Sequence, residues 1–262
     1  MSNTRQSLLS DRAVILVSGE DAREFLQGLI TNDINKVSDG NAIFAALLTP
    51  QGKFLYDFFI MEHEGKFLLD VAKATQLDLV KRLTMYKLRS KVEIALQPDM
   101  QVGAKWGNGV EADVRLPELG ARMIGTHLGL EDSGEYDKHR LSLGVPEGGK
   151  DLEANAAFPM QWGYDKLNAI DFNKGCYVGQ EVTARSKHIG TMRKMVHKIQ
   201  ADAMVLPAPG TPVVAGGKEI GKMAGSAGNI GIALLDIEAA AKGGLTSGGL
   251  EIKVEMPKWA AA

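Results

Sequence analysis

The chain has 262 residues, with 30 Lys and Arg against 32 Asp and Glu, for a formal charge of −2. That balance does not suit a large polyanion-binding surface, and 45% hydrophobic residues argue against disorder. A single cysteine excludes an intrachain disulfide. No apolar run reaches the ~18 residues of a spanning helix, and no basic leader is seen, so a cytoplasmic protein without membrane or direct nucleic-acid partners is expected.

Ala13 to Ser18 reads as a short buried strand. In the following SGEDAREFLQGLITND, Ala22, Phe25, Leu26, Leu29 and Ile30 fall on one helical face, with Glu20 and Asp21 near its positive end. Three β-like runs follow, broken at Pro50-Gln51-Gly52 and at Glu62 to Gly65. A helix is predicted from about Thr75 to Arg89 with Leu77, Val80, Leu83 and Leu88 inward, then a strand from Val92 to Leu96. This order predicts an α+β fold with a split-βαβ, ferredoxin-like layer, its helices on one side of the sheet.

From Val102 to Thr126 the strands are short and glycine-rich, with Glu111 and Asp113 at a turn. Tyr136 to Leu143 reads as a brief helix ahead of the loop GVPEGGKDLE. Between Gly210 and Gly249 lie eleven of the thirty glycines, separating TPVVA, IGIALLDI and LEIKVEM. This texture predicts a small C-terminal β-barrel or sandwich. A boundary near Gly190 divides the chain into residues 1–190 and 191–262.

Two stretches carry candidate chemistry. In KGCYVGQE, residues 174–181, the lone Cys176 lies between glycines, with Lys174 before it and Arg185 and Lys187 after it as a source of positive field that favours thiolate. A packed, inert thiol is the alternative. Gln180 and Glu181 suit the edge of a heterocycle or the cap of a turn. In LLTPQGKFLYDF, Asp57 sits among aromatic residues, where a carboxylate is either paired or raised in pKa, unless it faces solvent on an edge strand. A closed metal site needs about four ligands, largely Cys and His, and this chain offers one Cys and His63, His127, His139, His188 and His197 without a paired motif. No stably bound metal is therefore expected.

The stretch FNKGCYVGQEVTARSKHIGTMRK resembles the signature of the YgfZ-type folate-binding proteins. The similarity extends through SGEDAREFLQGLITNDI, LLTPQGKFLYDF, LSLGVP and FPMQWGYDKLNAIDFNKG, spanning Ala13 to Lys194. Its wider superfamily includes the aminomethyltransferase, or T-protein, of the glycine cleavage system, whose members bind tetrahydrofolate at the centre of a three-part, cloverleaf-like fold. The resemblance implies a T-protein-like region followed by the small barrel, and an accessory factor for assembly or repair of iron–sulfur clusters. Implied partners are client proteins, radical tRNA-modifying enzymes among them, and the assembly machinery; the implied cofactor is tetrahydrofolate or a derivative. Cys176 corresponds to the family cysteine, and Lys174 and Asp57 join it as candidate catalytic residues. Tyr136, Arg140, Tyr177, Gly179, Gln180, Glu181 and Arg185 form the implied folate-contact set. A second family contact position falls near Arg12 or Ala13 and has no aromatic ring here. The rival reading is a folate-dependent aminomethyl transferase, whose acidic pair is reduced here to Asp57 beside Tyr56.

Overall fold

The computed structural model describes residues 4–189 and 192–261. A strand not expected from the sequence, β1 (Arg5–Leu8), precedes β2 (Arg12–Ser18). The chain continues through α1 (Ala22–Gln27), β3 (Ile43–Leu48), β4 (Phe54–His63), β5 (Lys66–Ala72), α2 (Gln76–Lys87) and β6 (Glu93–Leu96). Five strands pair antiparallel in the order β3-β4-β5-β2-β6. Because β5 and β6 both run antiparallel to β2, they are parallel to each other, joined through α2 with β2 between them. This is the split βαβ unit that the sequence predicts.

One face of this sheet carries α1 and α2 over a core that includes Ile15, Phe25, Leu26, Phe58, Leu69, Leu79 and Leu83. The phase of α2 corrects the sequence reading. Leu79 and Leu83 point inward, whereas Leu77 and Leu88 are 67% and 88% exposed. Leucines at 77, 79, 83 and 88 leave the helix two apolar registers. The observed one sets Arg82 against the Tyr56 hydroxyl of β4. Asp21 stands at the start of α1 as expected, where its side chain accepts the Lys91 backbone N–H at 2.7 Å, and Glu20 meets the Lys91 ammonium.

The other face of the sheet is shared. Beside β2 and β5 lies a three-stranded sheet of β1, β7 (Gln101–Trp106) and β8 (Ala121–Gly125), with α3 (Glu135–Ser142) against it. Beside β3 and β4 lie Trp162, Tyr164 and the flank of the C-terminal unit. After α4 (Gln180–Ile189), strands β9 (Lys194–Gln200), β10 (Pro212–Ala215), β11 (Lys218–Ala227), β12 (Ile230–Asp236), β13 (Leu245–Ser247) and β14 (Leu250–Glu255) close into a barrel, with α5 (Ile237–Ala240) between β12 and β13. Of the two all-β forms the sequence allows, the closed one leaves no unpaired edge. The boundary expected at Gly190 lies outside the described residues.

The three units meet where the loop after α3 is seated on the barrel. A Cβ on Gly225 of β11 would collide with the Asp151 carboxylate of that loop. Gly225→Ala is expected to lower stability by about 1–3 kcal/mol through overpacking. Gly175→Ala, where a Cβ meets no atom within 4 Å, should leave the denaturation midpoint unchanged. Urea titration of the two variants beside the parent checks the contrast.

Candidate functional site

Where the three units converge, the side chains are charged rather than apolar. Arg12 on β2 donates to Asp70 of β5 at 2.6 Å and to Glu147, in the loop after α3, at 3.3 Å. Arg122 on β8 reaches the same two carboxylates at 3.1 and 3.5 Å. Arg140 on α3 donates to Asp151 at 2.6 Å, and Arg115 to Asp113 at 3.1 Å. All these side chains are 5% exposed or less. Phe59 of β4 lies between Arg115 and Arg122, its ring centroid 4.6 and 4.4 Å from their guanidinium carbons. Burial of charge at this depth is tolerable only because each arginine has a carboxylate partner.

Asp57 is the exception among these acids. Its Oδ2 accepts the Gly148 N–H at 2.9 Å and the Tyr164 hydroxyl at 2.7 Å, and its Oδ1 has no partner. Burial pushes its carboxyl above the usual range, against the pull of Arg12, Tyr164 and Gly148. The edge-strand alternative is excluded, because β4 is an inner strand and Asp57 is buried. Glu147 behaves oppositely. Burial would raise its carboxyl, but Arg12, Lys150, Arg122 and Arg140 together hold it well below the ordinary value.

Two clefts flank this centre. The larger, about 350 Å³, is lined by Phe59, Met61, Glu62, the Glu111–Val114 loop and Arg122, whose buried Nε has no partner. The smaller, about 220 Å³, is lined by Tyr136, Asp11, Asp137, Glu147 and Lys150. Tyr136 itself is 3% exposed and its hydroxyl accepts from Arg115 at 3.1 Å, while Arg122 lies over its ring. Arg140 is consumed by Asp137, Asp151 and the Val145 carbonyl.

The 174–181 box forms a separate site. Cys176 is exposed, which removes the packing alternative. Lys174 has a positioning role that its place in the sequence does not show. Its ammonium donates to the carbonyls of Gln27, Ile30 and Asn32 at 2.7, 2.6 and 2.9 Å, using all three of its protons to hold the box against the chain after α1. Burial brings this ammonium down to about 8, although Asp33 and Asp171 act to raise it. Gly179 has φ +85°, and a Cβ there would lie 2.5 Å from the Thr49 carbonyl; Gly52, at φ +72°, would put one 2.8 Å from Val182. The two motifs of the sequence thus dock through their glycines, bringing the β3–β4 turn against the start of α4. Tyr177 is buried, whereas Glu181 and Arg185 are exposed and 3.8 Å apart on the outside of α4, with Gln180 half-buried.

The structure therefore divides the candidate residues. Asp57, Tyr136 and Arg140 belong to the buried centre; Cys176, Lys174, Tyr177, Gly179, Gln180, Glu181 and Arg185 belong to the box and α4. Asp70, Arg115, Arg122, Glu147, Asp151 and Tyr164 complete the centre and were missed in the sequence. Only Asp70 left a signal there, as a lone carboxylate inside the apolar run KFLLDVA.

A sheet carrying two helices, a second small sheet and a closing barrel around a charged centre are the parts of the T-protein fold. Residues 9–99 match the family described as the GCVT N-terminal domain, and residues 193–262 the CAF17 C-terminal beta-barrel domain. The crystal structure of the glycine cleavage system aminomethyltransferase T from Bartonella henselae superposes with a TM-score of 0.78 at 14% identity, over 98% of this chain and 86% of that one, which establishes the fold. Among curated proteins, the chain is 32% identical to the mitochondrial iron–sulfur cluster assembly factor IBA57 of Homo sapiens, over 87% of this chain and 76% of that protein. The Mus musculus protein of the same name is also 32% identical, with 88% and 77% covered. The Neurospora crassa homologue is 33% identical, and the match covers 72% of this chain and about half, 52%, of that protein. The chain belongs to the IBA57 family of iron–sulfur cluster assembly factors. These relatives correct the cytoplasmic expectation, since each is named as mitochondrial; charge and hydropathy do not report an organelle.

Glu147→Gln leaves Arg12 and Arg122 short of a buried counter-charge and is expected to cost about 3–5 kcal/mol at pH 7. Because the folded carboxyl titrates below its unfolded value, that deficit should begin to narrow as pH falls below about 4.3, where the unfolded parent takes up a proton, and should close only as pH passes through the depressed folded value. Urea unfolding of both proteins across the acid range measures it. For the box, Cys176→Ser should fall within about 0.5 kcal/mol of the parent, as an exposed change. Lys174→Met should cost about 3 kcal/mol or more by removing three charge-assisted hydrogen bonds. Thermal melts of the two variants read the difference.

Proposed function

We propose that this protein is a folate-binding accessory factor for iron–sulfur cluster assembly or repair, with Cys176 as its working thiol. The observation that carries the reading is the exposure of the lone thiol on a loop anchored at both ends, by Lys174 on one side and the Gly52–Gly179 contact on the other. A thiol held in this way is available to a client's cluster, as a soft ligand or a nucleophile, without a site of its own to close. The YgfZ-like box supports an extension of the client set to radical tRNA-modifying enzymes, with any link to RNA running through the client.

A reduced folate suits the larger cleft, whose 350 Å³ lies within the range of small-molecule sites. Met61 offers an apolar edge, Glu111 an acceptor and Arg122, at the border of the cleft, a cation. When bound, a folate supplies one-carbon carrier chemistry. Tyr136 and Asp57 support it from behind, through Arg122 and Arg12, rather than by open contact. The transferase reading rests on Asp57, a buried acid without a second carboxylate beside it in the sequence.

Complementation and calorimetry test the proposal together. Cys176→Ala is expected to melt and bind tetrahydrofolate like the parent, yet to fail in supporting iron–sulfur enzymes in cells. Arg122→Met should weaken folate binding about tenfold or more, the loss of one charge-assisted contact. Full complementation by Cys176→Ala would refute the working thiol, and the absence of saturable folate binding would refute the cofactor.

A further inference from the structure

The outer face of α2 is not what a solvated helix face looks like. Leu77 and Met85 are 67% and 69% exposed, and Leu88, at the helix end, is 88% exposed. Leu88 also has φ +46°, a left-handed backbone conformation that is uncommon for a residue with a branched side chain and that occurs where surrounding structure imposes it. The stretch from Lys73 to Lys91 carries six cations, Lys73, Lys81, Arg82, Lys87, Arg89 and Lys91, against Asp78 alone, in a chain whose net charge is −2. Arg82 is engaged by tyrosine hydroxyls and Lys91 by Glu20. Among the described residues, Lys81, Lys87 and Arg89 meet no carboxylate.

We infer that the outer face of α2 with the Leu88–Arg89 segment at its end is a docking surface for an acidic, amphipathic helical segment of a partner protein. The order of side chains selects this occupant. Leu77, Lys81 and Met85 follow one another at one-turn spacing, so a cation interrupts the apolar line. A bilayer needs an unbroken apolar face with cations along its borders. A nucleic acid has no use for three projecting apolar side chains. A helix bearing leucines with a glutamate between them matches this line, its acid meeting Lys81 and its leucines meeting Leu77 and Met85, with Leu88 and Arg89 continuing the pattern just past the helix end. The surface lies on the helical layer of the five-stranded sheet, where Val178 of the Cys176 box also packs. A protein held on α2 therefore shares that layer with Val178, two residues from Cys176. The inference does not depend on folate or on Cys176, neither of which it uses.

The test is a titration of the full chain, isotope-labelled for amide NMR, with a synthetic amphipathic helical peptide carrying leucine and glutamate in that pattern. Its lysine-for-glutamate counterpart, phosphatidylcholine–phosphatidylserine vesicles and a single-stranded oligoribonucleotide are run in parallel. The acidic peptide is expected to bind saturably, shifting amides within 76–91, and to weaken as salt is raised. Lys81→Glu with Arg89→Glu should reduce its affinity at least about tenfold and reverse the preference between the two peptides. Met85→Ser with Leu88→Ser should reduce affinity similarly at high salt as well as low. Since all four side chains are exposed, melts should match the parent. Failure of the acidic peptide to saturate, shifts centred outside α2, or equal binding of the lysine peptide would each overturn the proposal. Binding of vesicles or RNA that depends on these residues, without binding of the acidic peptide, would overturn it in favour of a lipid or nucleic-acid surface.

Discussion

Arg12 and Arg122 approach the same two carboxylates, Asp70 and Glu147, from different sheets, and the rest of the molecule is arranged around that shared contact. An apolar interface between two sheets tolerates some sliding, because it asks only that area be covered. Two guanidinium groups on two buried acids do not, since a small shift leaves a charge without a partner in a medium that cannot hydrate it. The cluster thus fixes the angle between the five-stranded sheet, the smaller sheet and the loop that meets the barrel. It also sets the chemistry of the centre, where burial pushes the carboxyl of Asp57, which has no direct cation, above its ordinary value.

The same cluster accounts for the division of the candidate site. A centre filled by arginine–carboxylate pairs has little room for a ligand to touch Asp57 directly, and the accessible space is displaced to clefts on either side. Arg122 borders the larger cleft and contacts Glu147 and Tyr136, which line the smaller one, so it is the side chain through which the centre faces outward. The thiol lies elsewhere, on a loop whose anchors are backbone features: three carbonyls gathered by Lys174 and two glycines in close apposition.

Lys174 shows how the fold can give a residue a role that its neighbours in sequence do not suggest. Two positions before Cys176, it reads as a charge for the thiol; folded, it is the clasp between the box and the chain after α1. The α2 leucines show the complementary case. Their spacing allows two apolar registers, and only contact with the sheet selects the one that leaves Leu77 and Leu88 outside.

The sequence alone determined the elements whose cause is local: the α+β order, the split βαβ unit, the glycine-punctuated strands of the barrel, and the KGCYVGQE box as the place of the thiol. Periodicity and turn chemistry act over a few residues and can be read from them. Tertiary structure decided what long-range pairing creates. Arg12 finds Glu147 across 135 positions, Lys174 finds Ile30 across 144, and Asp57 finds Tyr164 across 107. Such partners carry no mark of one another in a single chain. A buried charge becomes affordable only when a distant counter-charge arrives, and which acid meets which arginine is settled by the packing of the three units.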